Sequence, residues 1–157
     1  MTEFSNLLQA SFPVRPVPSE LLSDRNLADC DSAEAALLLG VDWTRVDDDF
    51  WRDHWSAYSA LSPSAFVYYL PSMLEFSIDD SYELLRDNLI NLFNTSGDPS
   101  IFPEFMSERM ALLKLNQIKC LISWSDIMSK NSYFKDKNEE NRVVYTLMVL
   151  EEMNSSN

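Results

Sequence analysis

Residues 50–71 read Phe50-Trp51-Arg52-Asp53-His54-Trp55-Ser56-Ala57-Tyr58-Ser59-Ala60-Leu61-Ser62-Pro63-Ser64-Ala65-Phe66-Val67-Tyr68-Tyr69-Leu70-Pro71 and hold large aromatics more densely than any other part of the chain. Each such side chain buries about 150–250 Å². A small domain that places two Trp, three Tyr and two Phe here is expected to assemble around them. Read as a helix, Phe50, His54, Ala57 and Leu61 recur at i, i+4, i+7 and i+11, with Trp51, Trp55 and Tyr58 in a row beside them. Asp47, Asp48 and Asp49 precede this run, where a carboxylate can take up free N–H groups and meet the positive end of the helix dipole. Ser62 and Pro63 then open a second helix, because Ser is a favoured cap and Pro lacks an N–H at a position where none is needed. Ala65, Phe66, Tyr69, Leu70, Met73 and Phe76 or Ser77 continue the inward stripe. Pro71 removes the bond to the Val67 carbonyl, so a kink or a break is expected there.

Outward from this centre the chain reads as helices separated by strong stops. Thr2 can cap a short helix carrying Phe4, Leu7, Leu8 and Phe12, and Pro13, Pro16 and Pro18 make an extended connector over residues 13–18. Ser19 is expected to open a helical turn through Leu21 and Leu22. An alanine- and leucine-rich run from Ser32 to Leu39 ends at Gly40. Asp79, Asp80 and Ser81 offer caps for a helix bearing Tyr82, Leu85, Leu89, Leu92 and Phe93, which stops in the loop-forming cluster at 94–99. Pro103 and Glu104 begin a helix through Leu113, and another places Gln117, Cys120, Leu121, Trp124 and Met128 on one face. Residues 129–137 read as a loop, and Val143–Leu150, apolar at nearly every position, as a buried helix. The expectation is a single all-α domain of about six to eight helices, with Trp51, Trp55, Tyr58, Phe66, Tyr69, Leu85, Leu89 and Trp124 in or near its core.

The string Ala60-Leu61-Ser62-Pro63-Ser64-Ala65-Phe66-Val67-Tyr68-Tyr69-Leu70-Pro71 resembles the core segment, L-S-P-x-A-F-x-Y-Y-L-P, of a family of small uncharacterised bacterial domains. Asp42-Trp43 upstream and Gln117, Leu121 and Trp124 downstream are weaker echoes, so the resemblance spans roughly residues 40–128. It implies a compact bacterial domain and carries over no catalytic residue.

Composition narrows the function classes. The 157 residues suit one domain. A hydrophobic share of 46% with 12% aromatics excludes a disordered chain. The two glycines, Gly40 and Gly97, are too few for a glycine-rich phosphate loop. A net charge of −13 argues against nucleic acid and anionic membrane as partners, since both require basic surface. Acidity also serves solubility alone. Cys30 and Cys120 have no metal-type spacing and are expected to be reduced and buried. With one histidine, a standard zinc site is excluded, and the Asp47–Asp49 run lacks the alternation, glycine and closing glutamate of a calcium loop. No cofactor is expected. The N-terminal residues lack a signal-peptide pattern and no run is apolar enough to cross a membrane, so a cytoplasmic protein is expected.

No nucleophile or orienting partner is marked beside His54, which is expected to be structural. Tyr68 and Tyr69 lie about a hundred degrees apart on a helix, so one is expected inside while the other can serve as an interaction anchor. Charge is more informative. Residues 29–53 carry eight acids against Arg45 and Arg52, and residues 75–108 carry eight against Arg86; residues 109–142 hold seven Lys and Arg against four acids. If the two acidic segments converge, they form a concentrated negative face. The expected binding residues are Asp29, Asp31, Asp47, Asp48, Asp49, Asp79, Asp80 and Tyr68. The expected partner is a basic protein, in the most concrete version a bacterial toxin for which this chain is the immunity protein. An adaptor domain with another partner, or an enzyme using paired carboxylates, are the alternatives.

Overall fold

Ser62 sets the centre of the molecule. Its backbone is extended, its hydroxyl accepts from the Ala65 amide at 3.2 Å, and Pro63 follows as the first helical residue. The helix so started is the long central helix of an all-α domain. The structure is a computed structural model, and it describes residues 1–23, 29–95 and 102–155, with the backbone alone at Asp29 and Cys30. The helices are α1 (Glu3–Ser11), α2 (Asp29–Ala35), α3 (Phe50–Asp53), α4 (Pro63–Ser77), α5 (Glu83–Phe93), α6 (Glu104–Met110), α7 (Leu115–Lys130) and α8 (Lys137–Ser155). Short 3-10 turns at Ala36–Leu38, Trp43–Arg45, Ala57–Ala60 and Asp80–Tyr82 join them.

Helix α4 packs against α1, α5 and α6 and against the turns at Trp43–Arg45 and Asp80–Tyr82. Helix α7 lies on α1, and α8 packs along α7 and α5. Ala65, Phe66, Tyr69, Leu70, Met73 and Ser77 are fully buried, as the helical spacing requires, while Phe76 is half-buried. Two serines on α4 satisfy the two most deeply buried indoles. Trp51 Nε1 donates to Ser72 Oγ at 2.9 Å, and Trp124 Nε1 donates to Ser77 Oγ at 2.9 Å. A buried indole N–H without such an acceptor loses its bond to water and gains nothing in exchange. At the other end, Gln117 closes the domain: its Oε1 accepts from the Lys114 amide and its Nε2 donates to the Ser11 carbonyl, joining the start of α7 to the end of α1.

Several local expectations are corrected. The helix read from Phe50 to Leu61 ends at Asp53, and His54 leaves the helical region at φ −127°, ψ 44° before a 3-10 turn resumes. As a result Trp51 is buried, whereas Trp55 and Tyr58 are half-buried against the core. Asp49 sits at the N-cap position without a side-chain bond. Its backbone is already helical, at φ −89° and ψ −12°, and a capping oxygen reaches its amide from an extended residue. Of the kink or break expected at Pro71, the break does not occur: helix α4 continues through Pro71 to Ser77, because one missing N–H is outweighed by burial on both sides of it. Leu21 and Leu22 are extended: Leu22 forms an isolated antiparallel bridge with Leu61, tied by Ser23 N to Ala60 O and Ser62 N to Leu21 O. Helix α8 buries only the stripe Val143, Thr146, Leu147 and Leu150 and leaves Tyr145 and Met148 exposed.

Other expectations hold. Thr2 caps α1, accepting from the Ser5 amide at 3.0 Å. Gly40 has φ +75°, the left-handed region that ends a helical segment at least cost when no Cβ is present. The Tyr69 hydroxyl clasps this turn, 2.9 and 2.5 Å from the carbonyls of Leu38 and Val41. Cys120 is buried and free, and burial raises its thiol pKa. The Cys30 side chain and residues 96–99 of the expected loop lie outside the described residues.

Candidate functional site

The two acid-rich segments meet where α3 packs on the Asp80–Tyr82 turn and on α5. Local chemistry explains why the chain turns there. Asp79 has an extended backbone and its Oδ1 accepts from the Ser81 amide at 2.9 Å and the Ser81 hydroxyl at 2.6 Å, which caps the turn leading into α5. These bonds favour the charged form and hold the Asp79 carboxyl below its ordinary pKa. Tyr82, buried at the end of the turn, donates its hydroxyl to the Asp48 carbonyl. Arg52 Nη2 donates to the same hydroxyl at 3.1 Å, and its guanidinium lies 5.1 Å from the centre of the Tyr82 ring. The segment containing Asp47, Asp48 and Asp49 is thereby tied to the one containing Asp79 and Asp80.

A second clamp lies beside the first. Arg86 is buried, stacks 3.8 Å from the Tyr133 ring centre and donates from Nη1 to the Asp79 carbonyl at 3.2 Å. The Tyr133 hydroxyl donates to Asp80 Oδ1, which raises the Tyr133 pKa and docks the α7–α8 connection onto the acidic turn. Both arginines of this region therefore have structural partners, and they offset part of the local negative charge.

Asp48, Glu75 and Asp79 line one open cleft of about 680 Å³, with Trp43, Ser5 and Thr2 in its walls. Glu75 comes from α4 and was not singled out from the sequence. Its Oε1 accepts from Ser5 Oγ at 2.6 Å, and Ser5 Oγ lies 2.8 Å from Thr2 Oγ1, so a hydroxyl pair at the start of α1 orients the carboxylate. The signal available in the sequence was a lone acid within the apolar α4 stripe. Asp47, Asp48, Asp49, Asp79 and Asp80 are all exposed. Among the described residues no group of three or more His, Cys, Asp and Glu is arranged to hold a metal ion. The cleft can offer anionic oxygens to an ammonium or guanidinium group, which needs no fixed coordination shell.

The remaining candidates lie elsewhere. Asp31 is half-buried and accepts from the Ser56 and Ser59 hydroxyls at 3.0 and 3.3 Å, fastening α2 to the turn at Ala57–Ala60. Asp29 lies at the start of α2, and its side chain is outside the described residues. Tyr68 does not reach outward with its polar end: its hydroxyl donates to the Val14 carbonyl at 2.6 Å and accepts from the Trp43 amide at 3.3 Å. Its ring lines a separate small cleft with Pro13, Arg15 and Lys114. His54 packs with its ring centre 5.2 Å from that of Phe50, and its Nδ1 lies 3.3 Å from Glu34 Oε1, which sets it at the seam between α2 and the end of α3.

Comparison with protein-family models, curated proteins and solved structures returns no match for this chain. The resemblance therefore rests on residues 60–71 and on the weaker echoes at Asp42, Trp43, Gln117, Leu121 and Trp124. Among the described residues no helix is long and apolar enough to cross a membrane.

Proposed function

We propose that this chain is an acidic binding protein for a basic protein partner, and in its most concrete form an immunity protein that neutralises a cognate bacterial toxin. The observation that carries the proposal is the junction of the two acid-rich segments through Tyr82, Asp48 and Arg52, with Asp48, Glu75 and Asp79 on one cleft. Enzymes that act on nucleic acids or nucleotides present cationic sites, and an acidic inhibitor is drawn to such a site by long-range attraction before any contact forms. The overall charge of −13 acts in the same direction. The cytoplasm is the compartment in which such an inhibitor would guard its own cell.

Co-purification of the tagged chain with the products of neighbouring genes tests the proposal. A basic protein recovered in a stoichiometric complex, inactive until released, is the expected result. Recovery of an acidic or neutral partner, bound equally well in high salt, would contradict it, because encounter driven by exposed charge is screened by salt.

A further inference from the structure

The acidic cleft has a neighbour. Thr2 and Ile78 line both it and a second open cleft of about 690 Å³, so the two adjoin at the N-terminal turn of α1. The second cleft differs in character. Leu7, Ile78 and Ile127, partly buried hydrophobics, line it together with Phe4, between α1 and α7. Taken together as one groove, the adjoining clefts set an apolar patch, rimmed by Glu3, Asp126 and Lys130, beside an anionic one, with Thr2 and Ile78 shared between them.

Charge along the groove is one-sided. Among the described residues its lining includes the carboxylates of Glu3, Asp48, Glu75, Asp79 and Asp126 and a single cation, Lys130. Glu3 also lies in the first turn of α1, where it offsets the positive helix terminus that would otherwise repel a cation. Glu75 is oriented by Ser5 and Asp79 by Ser81, so two anionic groups are held in place before a ligand arrives. Preorganised acceptors lose less freedom on binding than free side chains do.

We propose, on the basis of the acidic-face reading above, that this groove receives an exposed segment of the protein partner in which an aliphatic or aromatic side chain lies next to an arginine or lysine. The apolar side chain sits over Leu7, Ile78 and Ile127, and the cation sits among Asp48, Glu75 and Asp79. Charge complementarity selects the basic occupant, and the apolar patch supplies the burial that exposed ion pairs alone do not provide.

The test is an NMR titration of the full chain with a synthetic peptide of alternating leucine and arginine, and with the same peptide carrying citrulline for arginine. Expected are amide shift changes at Leu7, Ile78 and Ile127 together with Asp48 and Asp79, and about a tenfold loss of affinity with citrulline, equivalent to about 1.4 kcal/mol. The variant Glu75→Gln, which keeps an oxygen for Ser5, should weaken the arginine peptide and leave the citrulline peptide unaffected. Shifts at Asp47, Asp49 and Asp80 without any at Leu7, Ile78 or Ile127 would overturn the groove and leave the acidic-face reading standing. Absence of any charge-dependent shift would overturn both.

Discussion

The Tyr82 hydroxyl donates to the Asp48 main-chain carbonyl while accepting from Arg52, and this one phenol joins the chain's two acid-rich segments. Tyr82→Phe keeps the ring beneath the guanidinium and removes both bonds. A loss of about 1 kcal/mol in denaturant unfolding is expected, the usual net worth of the one bond to the Asp48 carbonyl, because the exposed Arg52 guanidinium can bond to water instead. Unchanged stability would mean that the two segments are held together by packing alone.

Trp51 and Trp55 separate cleanly. Trp51 is fully buried and bonded to Ser72, whereas Trp55 only flanks the core. Trp51→Ala should cost about 3–5 kcal/mol, and Trp55→Ala distinctly less. Equal losses in denaturant melts would contradict the break in the helix at His54, which is what sets the two indoles apart.

That break shows where the sequence stops being informative. Helices α4 and α7 were legible because Ser62-Pro63 marks a start and because Phe66, Tyr69 and Met73, or Cys120, Trp124 and Met128, repeat at helical spacing. Residues 54–60 contain neither Gly nor Pro, so nothing local forbids a helix there. Asp31 takes the hydroxyls of Ser56 and Ser59 while Glu34 faces His54, and these contacts come from a distant helix. Tertiary bonds of this kind override local propensity and leave no periodic trace. The acidic site was half legible for the same reason. The bias of each segment is visible in composition, but the meeting of Asp48 with Asp79, and the arrival of Glu75 on the same cleft, depend on how α3, α4 and α5 pack.

Arg109 is the most deeply buried charge among the described residues. Its Nη2 donates to the Leu61 carbonyl at 2.6 Å, its Nη1 donates to the Phe105 carbonyl at 2.8 Å, and the guanidinium lies 3.5 Å from the Phe105 ring centre. Arg109→Met fills similar space but strands the Leu61 carbonyl. A loss of about 2–4 kcal/mol is expected, since hydrogen bonds from charged donors are worth about 1.5–3 kcal/mol each and part of the volume is retained. Arg109→Lys should recover little of it, because a lysine cannot reproduce the planar fork. Wild-type stability in the Lys variant would contradict the two-carbonyl geometry.

Alkaline pH provides an independent check. Burial raises the pKa of the Tyr58, Tyr68 and Tyr69 phenols, and the bond to Asp80 raises that of Tyr133. The folded protein therefore retains protons that the unfolded chain releases. The contribution is fully present below the unfolded tyrosine value of about 10 and is lost as pH rises above it. Phenolate absorbance should lag behind free tyrosine and rise together with loss of helical circular dichroism. Ionisation of these phenols near pH 10, on the order of the free value, with the helices intact would contradict the burial described.

The most direct measurement of the central claim is the association rate with the co-purified partner, at low and high salt, for a triple variant Asp47→Asn, Asp48→Asn and Asp49→Asn and for a double variant Asp79→Asn and Asp80→Asn. None of the first three side chains caps α3, so the triple variant should remain as stable as wild type; in the double variant Asn at 79 keeps an oxygen for Ser81. Both should associate more slowly at low salt and show a shallower salt dependence, since exposed charges act chiefly on encounter. Wild-type association rates in both variants at low salt would contradict the claim that this acidic face meets the partner.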